Sequence, residues 1–406
     1  MNTKIIAYLL VFSLLLGFSS FAYGASEDTR YLVKSSSGFW KKSFGARHEF
    51  REGFTADLTD WQLRVAKVFG LEIVPVIKLN ILPESPVAQL DEAGKPIDEV
   101  SRKPVAPSPV RVLPSDRLPW GVRAVYNNNP LLTKTSGGVD VNVAVLDTGV
   151  YRDHLDLKNR VVQCKDFTVA RTPIVNDKCE DKNGHGTHVA GTIAADGGSD
   201  GKGIYGVAPE ANIFAYKVCG TNGSCWSDDI AFALRTAADS NANIVNLSLG
   251  SDLESSLIKE AVDYAVGKGV LVVAAAGNDG PYLGSIDYPG ANPSVIAVGA
   301  FDSTSDIAEW SSRGINSETE PYIVEDRDIE FAAPGVNIES TWKDGSYVIL
   351  SGTSMATPHV VGLAAKLWQK DAEDPDSATH ELLHKFSENL LPPGDDDASG
   401  FGFPHL

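Results

Sequence analysis

The sequence predicts an α/β protein with a parallel central sheet and helices on both faces, preceded by a small α+β module. Three observations point there. From residue 141 onward, short apolar runs alternate with stretches of helical periodicity, the pattern of strands buried on both faces. Asp147, Ser248 and Asn278 fall at the carboxyl ends of such runs, where open α/β sheets place their function. Ahead of this region, a strand–helix–strand pattern ends in a proline-rich stretch. The 406 residues allow one large domain and a smaller one, and 43% hydrophobic residues are ample for a core.

Taken in order, residues 1–24 read as a secretory signal. Lys4 gives a positive start, residues 5–21 form an apolar core, and Ala22-Tyr-Gly24 is a small-residue cleavage site, so export is expected. Residues 25–83 form the α+β module. It has a strand at 30–33, then a strand and an amphipathic helix across 54–69 capped by Thr59 or Asp60, and further strand across 71–81. Residues 84–119 are rich in proline and polar side chains, as in Pro104-Val-Ala-Pro-Ser-Pro109, and read as an extended linker open to maturation cleavage.

The large domain occupies residues 120–406. Strands are expected at 141–146, 213–218, 244–249, 270–276 and 295–299, with helices after His185 and at 228–239 and 255–266. With 35 Lys and Arg against 53 Asp and Glu, the net charge is −18, which argues against nucleic acid as a partner. No second long apolar stretch suggests a membrane span.

Chemistry concentrates in Leu350-Ser-Gly-Thr-Ser-Met-Ala-Thr-Pro-His359. Small residues deliver Ser354 to the opening turn of a helix, with Ser351 or Thr353 available as cap. Unpaired N–H groups and the helix dipole there favour developing negative charge. A serine so placed needs a base. Val141-Asn-Val-Ala-Val-Leu-Asp-Thr-Gly149 carries Asp147 to a strand end, and Asn183-Gly-His-Gly-Thr-His188 opens a helix with His185 at its mouth. The chemical order along the chain is Asp147, His185, Ser354.

That order and seven motifs make residues 120–406 resemble the subtilisin-like serine proteases. The motifs are Val145-Leu-Asp-Thr-Gly149, His185-Gly-Thr-His-Val-Ala-Gly191, Asn246-Leu-Ser-Leu-Gly250, Ala274-Ala-Ala-Gly-Asn278, Ser311-Ser-Arg-Gly314, Ala333-Pro-Gly335 and Gly352-Thr-Ser-Met-Ala-Thr-Pro358. The resemblance implies a secreted serine endopeptidase working through an acyl-enzyme. Ser354 attacks, His185 moves the proton, Asp147 holds the imidazole, and Asn278 with the Ser354 N–H stabilises the oxyanion. It implies that Ser248, Leu249 and Gly250 pair with a polypeptide substrate as an added strand. It also implies that the α+β module is a propeptide, acting as intramolecular inhibitor and chaperone in a self-processing precursor, and that the enzyme is a monomer without catalytic cofactor.

Three finer expectations follow. The four cysteines allow three pairings, and Cys164–Cys179 with Cys219–Cys225 is favoured because each closes a local polar loop in an exported chain. By resemblance, Asp156 and the loop Asp196-Gly-Gly-Ser-Asp-Gly-Lys-Gly203 stand where the family binds structural calcium, although the loop departs from the usual sequence. By resemblance, Asp287, before Tyr288-Pro289, stands near the floor of the family's main specificity pocket, with Asp279 close by. A buried carboxylate there favours Lys or Arg before the scissile bond, whereas a solvent-facing Asp287 would leave specificity broad.

Other readings fit less well. His185 and His188 invite zinc, but no third ligand stands near them in a zinc pattern, so His188 and His359 are read as helix-packing residues. Asp371, Asp376, His380, His384 and His405 lie downstream of Ser354 and could imitate an α/β-hydrolase order, but too little chain follows to complete that fold. A binding protein that keeps the protease fold without catalysis is disfavoured by the four intact chemical positions.

Overall fold

The computed structural model describes residues 29–81, 112–128, 136–316, 324–391 and 394–406. The expected signal at 1–24 and residues 84–111 of the proline-rich linker lie outside them. The chain divides into two compact units, Met1–Val76 and Ile77–Leu406.

The first unit is a four-stranded antiparallel sheet. Its strands are β1 (Arg30–Val33), β2 (Glu49–Phe50), β3 (Gly53–Asp57) and β4 (Ile73–Pro75), in the order β2-β3-β1-β4. The helix Asp60–Val68 starts on Thr59, whose hydroxyl accepts from the Gln62 N–H while the Gln62 side chain reaches back to the Thr59 N–H. This reciprocal cap explains why the helix begins there. Val33, Phe44, Phe54, Ala56, Leu58 and Ala66 form the unit's own core.

The expected continuous strand across 71–81 is two strands. Pro75 has no N–H to continue a ladder, and the chain leaves the first sheet after β4. It then forms β5 (Lys78–Ile81) in the second unit.

The second unit is organised on eight strands. They are β6 (Asn142–Asp147), β7 (Val161–Asp166), β8 (Val175–Asn176), β9 (Asn212–Lys217), β11 (Ile244–Leu247), β13 (Leu271–Ala275), β14 (Ile296–Phe301) and β15 (Phe331–Pro334). Their order is β15-β14-β13-β11-β6-β9-β7-β8, parallel throughout except for the β7–β8 edge pair. The period of two puts alternate residues on opposite faces. Val143 and Val145 join one core with Val189, Ile193, Val360 and Val361, from the helices His185–Ala194 and Thr353–Leu367. On the other face, Tyr216 of β9 meets Phe167, which in turn meets Phe232 of the helix Ser227–Asp239. Helices therefore cover both faces, as the sequence predicts.

Strands β10 (Ser224–Trp226) and β12 (Leu249–Gly250) flank β5 in a small antiparallel sheet. Both disulfides have the favoured pairing, Cys164–Cys179 and Cys219–Cys225.

Candidate active site

Asp147 ends β6 and His185 opens the helix His185–Ala194. The imidazole Nδ1 lies 2.8 and 2.9 Å from the two Asp147 carboxylate oxygens, and both residues are fully buried. This contact selects the tautomer with its proton on Nδ1, which leaves Nε2 as the basic nitrogen. Gly186 permits the close approach, because a Cβ there would fall 2.2 Å from the Gly149 carbonyl and 3.0 Å from the Asp147 Cβ.

Asp181 holds the mouth of this helix. Its Oδ1 accepts from the Asn183 and Gly184 N–H groups at 3.0 and 2.8 Å, and its Oδ2 from the Thr187 N–H and hydroxyl at 3.0 and 2.6 Å. Thr148 links the elements that carry Asp147 and His185 by donating to Asp181 at 2.9 Å and accepting from the Gly186 N–H at 3.0 Å. The sequence reading missed Asp181. Its signal was an acid four residues before His185, ahead of the Asn-Gly turn and within reach of the first helical N–H groups.

Ser354 sits in the first turn of the helix Thr353–Leu367. Neither expected cap is used: Gly352 is the N-cap, and Ser351 instead accepts from the Asn337 N–H at 2.8 Å. Ser351 is drawn away by a neighbouring loop, a tertiary contact that propensity does not register. Pro358 lies within this helix and has no N–H to offer the Ser354 carbonyl four residues back. Ser248 fills the gap, its hydroxyl donating to that carbonyl at 3.0 Å while accepting from the Asn246 Nδ2 at 2.9 Å. The Ser354 hydroxyl rests on the Ser248 carbonyl at 3.3 Å.

Asn278 follows β13. Its Oδ1 accepts from the Thr353 N–H and hydroxyl, each at 3.0 Å, which fixes the amide so that the Nδ2 limb is the donor. A Cβ on Gly352 would stand 3.5 Å from that Nδ2. The donor thus faces the turn that carries Ser354.

Asp287 is buried between two turns of backbone. A Cβ on Gly250 would come 2.8 Å from its Oδ2, and one on Gly277 would come 3.0 Å from it. Carboxylate oxygens of Asp252, Asp279 and Asp287 lie within 4.8 Å of one another. Burial, and then the charges of Asp279 and Asp252, push the Asp287 carboxyl up to about 7. Burial and Asp252 also raise Asp279.

The slot beside the site holds the chain's own β5. Asn80 is opposite Gly250 and Ile81 opposite Leu249, while Leu79 and Asn80 face Cys225 and Ser224 on the other side. The sequence had assigned this edge to an added strand, and missed which stretch would lie there. Among the remaining expected residues, His188 Nε2 donates into packed backbone, 2.9 Å from the Ile338 carbonyl and 3.2 Å from the Val348 carbonyl, and burial lowers the imidazole to about 3. His359 is likewise buried, 2.9 Å from the Met355 carbonyl, and lowered to about 4.

A buried acid–imidazole pair, a helix-borne serine and a fixed amide donor beside a strand-shaped slot suit acyl transfer from an extended polypeptide. Comparison with known proteins gives the same class. Residues 138–402 match the subtilase family. The chain is 44% identical over 384 residues to a subtilisin of Bacillus sp. (strain TA39), covering 89% of this chain and 86% of that protein. It is 36% identical over 360 residues to an alkaline protease of Alkalihalobacillus alcalophilus, covering 87% and 85%. The solved S41 psychrophilic protease superposes with a TM-score of 0.68 at 50% identity, covering 72% of this chain and 99% of its own. The chain belongs to the subtilase family and is a serine endopeptidase.

Proposed function

We propose that this endopeptidase cleaves through Asp147, His185 and Ser354, with Asn278 and the Ser354 N–H receiving the oxyanion. The observation that carries the reading is the His185–Asp147 contact at 2.8 Å, which leaves the other imidazole nitrogen as base. The Ser354 hydroxyl swings from the Ser248 carbonyl to that nitrogen as substrate arrives, gives up its proton and attacks the peptide carbonyl. His185 then returns the proton to the leaving amine, and water repeats the sequence on the acyl-enzyme. A fluorophosphonate probe tests this: labelling that survives Ser354→Ala would remove Ser354 as nucleophile.

The same reading takes residues 1–24 as an export signal, the module up to about residue 83 as a propeptide, and residues 84–119 as the region cut during maturation. Among the described residues no helix is long and apolar enough to cross a membrane. The chain's own β5, lying against Leu249 and Gly250, supports inhibition by the stretch upstream of the linker. N-terminal sequencing of the product from wild type and Ser354→Ala tests self-processing; identical processing of both would assign the cut to another enzyme. A monomer is proposed as the mature state, to be checked by light scattering.

The acidic cluster supports a preference for Lys or Arg before the scissile bond, since a cation would relieve the crowding around Asp287. Structural calcium, by contrast, fits poorly at Asp156. Its Oδ2 accepts from the Ile204 N–H at 2.9 Å and the Tyr347 hydroxyl at 2.7 Å, both donors where a cation would need a lone pair. In the adjoining loop, the Asp196 carboxylate pairs with Arg160 at 3.4 Å.

A further inference from the structure

Three side chains far from Ser354 in sequence role and chemistry converge near the end of the chain. His380 and His384 lie one turn apart on the helix Pro375–Lys385, so both rings project from the same face. Glu330, immediately before β15, sends its carboxylate between them, with the side chain only 2% exposed. The Glu330 Oε1 contacts the His380 Nε2 and lies 2.7 Å from the His384 Nε2. The two Nε2 atoms are themselves 3.3 Å apart. A simple ion pair needs one imidazole for one carboxylate. Here two rings turn the same nitrogen toward one oxygen.

We propose that Glu330, His380 and His384 form a binding site for a divalent transition-metal ion of the zinc type. Zinc bonds of about 2.0–2.2 Å in tetrahedral arrangement set ligand atoms about 3.3 Å apart, which the two imidazole nitrogens already match. The carboxylate oxygen is closer than that to both rings, nearest to His380, so it must draw back by roughly one ångström to admit the ion. Two imidazoles and one carboxylate select against calcium, which takes oxygen ligands, and favour zinc, cobalt or nickel.

The local sequence is His380-Glu-Leu-Leu-His384, the H-E-x-x-H spacing that places two histidines on one helix face toward zinc. The histidine side chains are 32% and 24% exposed, so the ion has an entry path and room for water as fourth ligand. A cleft of about 190 Å³, lined in part by Glu330, Asp376 and His380, opens beside them. Phe401 packs its ring against His384 with centroids 4.3 Å apart, and Phe331 at 5.0 Å, which hold that imidazole in place. Asp376, one turn before His380, supplies a second carboxylate near the site.

The consequence is a cross-link. Metal at this point would tie the Pro375–Lys385 helix to the start of β15, and β15 leads into Gly335, whose carbonyl accepts from the N–H of Gly352 at 2.9 Å. Gly352 is the residue that starts the helix bearing Ser354. The site therefore bears on the stability of the nucleophile's support and takes no part in the hydrolytic steps.

The test uses the full chain as Ser354→Ala, which removes self-digestion, stripped with a chelator and returned to buffer with excess calcium. Zinc is then added, and retained metal is counted after dialysis. One equivalent of zinc per chain and a higher thermal midpoint are expected. Cobalt should give the intense visible absorption of a tetrahedral site. His384→Ala and the milder His380→Gln should each weaken zinc retention by at least about tenfold and abolish the cobalt spectrum. If His384→Ala fails to fold, His380→Gln and the cobalt spectrum of the parent still decide. No retained zinc in the parent, or equal retention in a folded histidine variant, would overturn the proposal and leave a histidine–carboxylate ion cluster.

Discussion

At the scale of single residues, the site depends on groups that repair one another's deficits. Pro358 deprives the Ser354 carbonyl of its helical donor and Ser248 supplies one, so the edge we propose for substrate also steadies the proposed nucleophile. Thr353 does the same for Asn278, and its hydroxyl also accepts from the Gly277 N–H at 3.2 Å. Thr353→Val keeps the shape and removes this hydroxyl. Turnover should fall roughly tenfold with KM nearly unchanged, because the amide donor loses its alignment toward a charge that develops after binding. Steady-state kinetics check it; a change confined to KM would place the effect in substrate binding. Loss of the Asn278 donor itself should cost about 10²–10³ in turnover, the figure known for this donor in subtilisin. Asp287 makes two predictions. Its carboxyl, at about 7 against an ordinary 3.8, is neutral in acid and ionises as pH rises. The kcat/KM ratio of Arg over Phe substrates should therefore climb between pH 6 and 8, with the marks set by that value, and flatten in Asp287→Asn. The folded state binds this proton more tightly than the unfolded chain, so the stabilisation is whole below about pH 4 and lost as pH rises through 7. Asp287→Asn in the Ser354→Ala chain should match its parent in acid and exceed it in alkali by up to about 4 kcal/mol, measured by denaturant unfolding at each pH.

At the scale of elements, the parts that were legible in the sequence are those whose signals are local. The strand Asn142–Asp147 is an unbroken apolar run ending in an acid, and the helix Ser227–Asp239 has clear periodicity. Asp147, His185, Asn278 and Ser354 were legible because each ends or begins such an element. The parts that escaped depend on distant partners. Ser351 was a sound local cap until Asn337 claimed it, and the split at Pro75 separates two strands that read as one run. The cysteine spacing, in contrast, predicted a covalent loop that bears on the site. The Cys164–Cys179 bridge closes a separation of 15 residues, and the Cys179 carbonyl accepts from the Val150 N–H at 2.8 Å, two residues before Asp181. Replacing both cysteines by alanine should cost about 3 kcal/mol on the chain-entropy account. For a unit of this size the thermal midpoint should fall by roughly 4–5 °C. Activity should decline at temperatures below that midpoint, since Asp181, two residues past the bridge, holds the His185 helix; parallel activity and unfolding curves would separate the bridge from the site.

At the scale of the whole molecule, the chain supplies both the cleft proposed for substrate and the strand that lies in it. The backbone of β5 makes antiparallel ladders with β10 on one side and β12 on the other, which satisfies its groups on both edges. Such ladders read main chain and leave side chains to set preference. Leu79 is the buried side chain of this strand, 1% exposed, and lines one cavity with Ile258, Val262 and Tyr288. A carboxylate in that position would have to be desolvated without a partner or expelled, and expulsion takes the strand with it. Leu79→Asp should therefore release β5. In the Ser354→Ala chain, the amides of Asn80 and Ile81 should lose protection from hydrogen exchange while those of β6 and β11 keep theirs. In the active chain, the same substitution should shorten the lag before peptide hydrolysis begins. Retained protection at Asn80 and Ile81 with an unchanged lag would mean that side-chain burial does not hold this strand, and that the ladders alone keep the cleft filled.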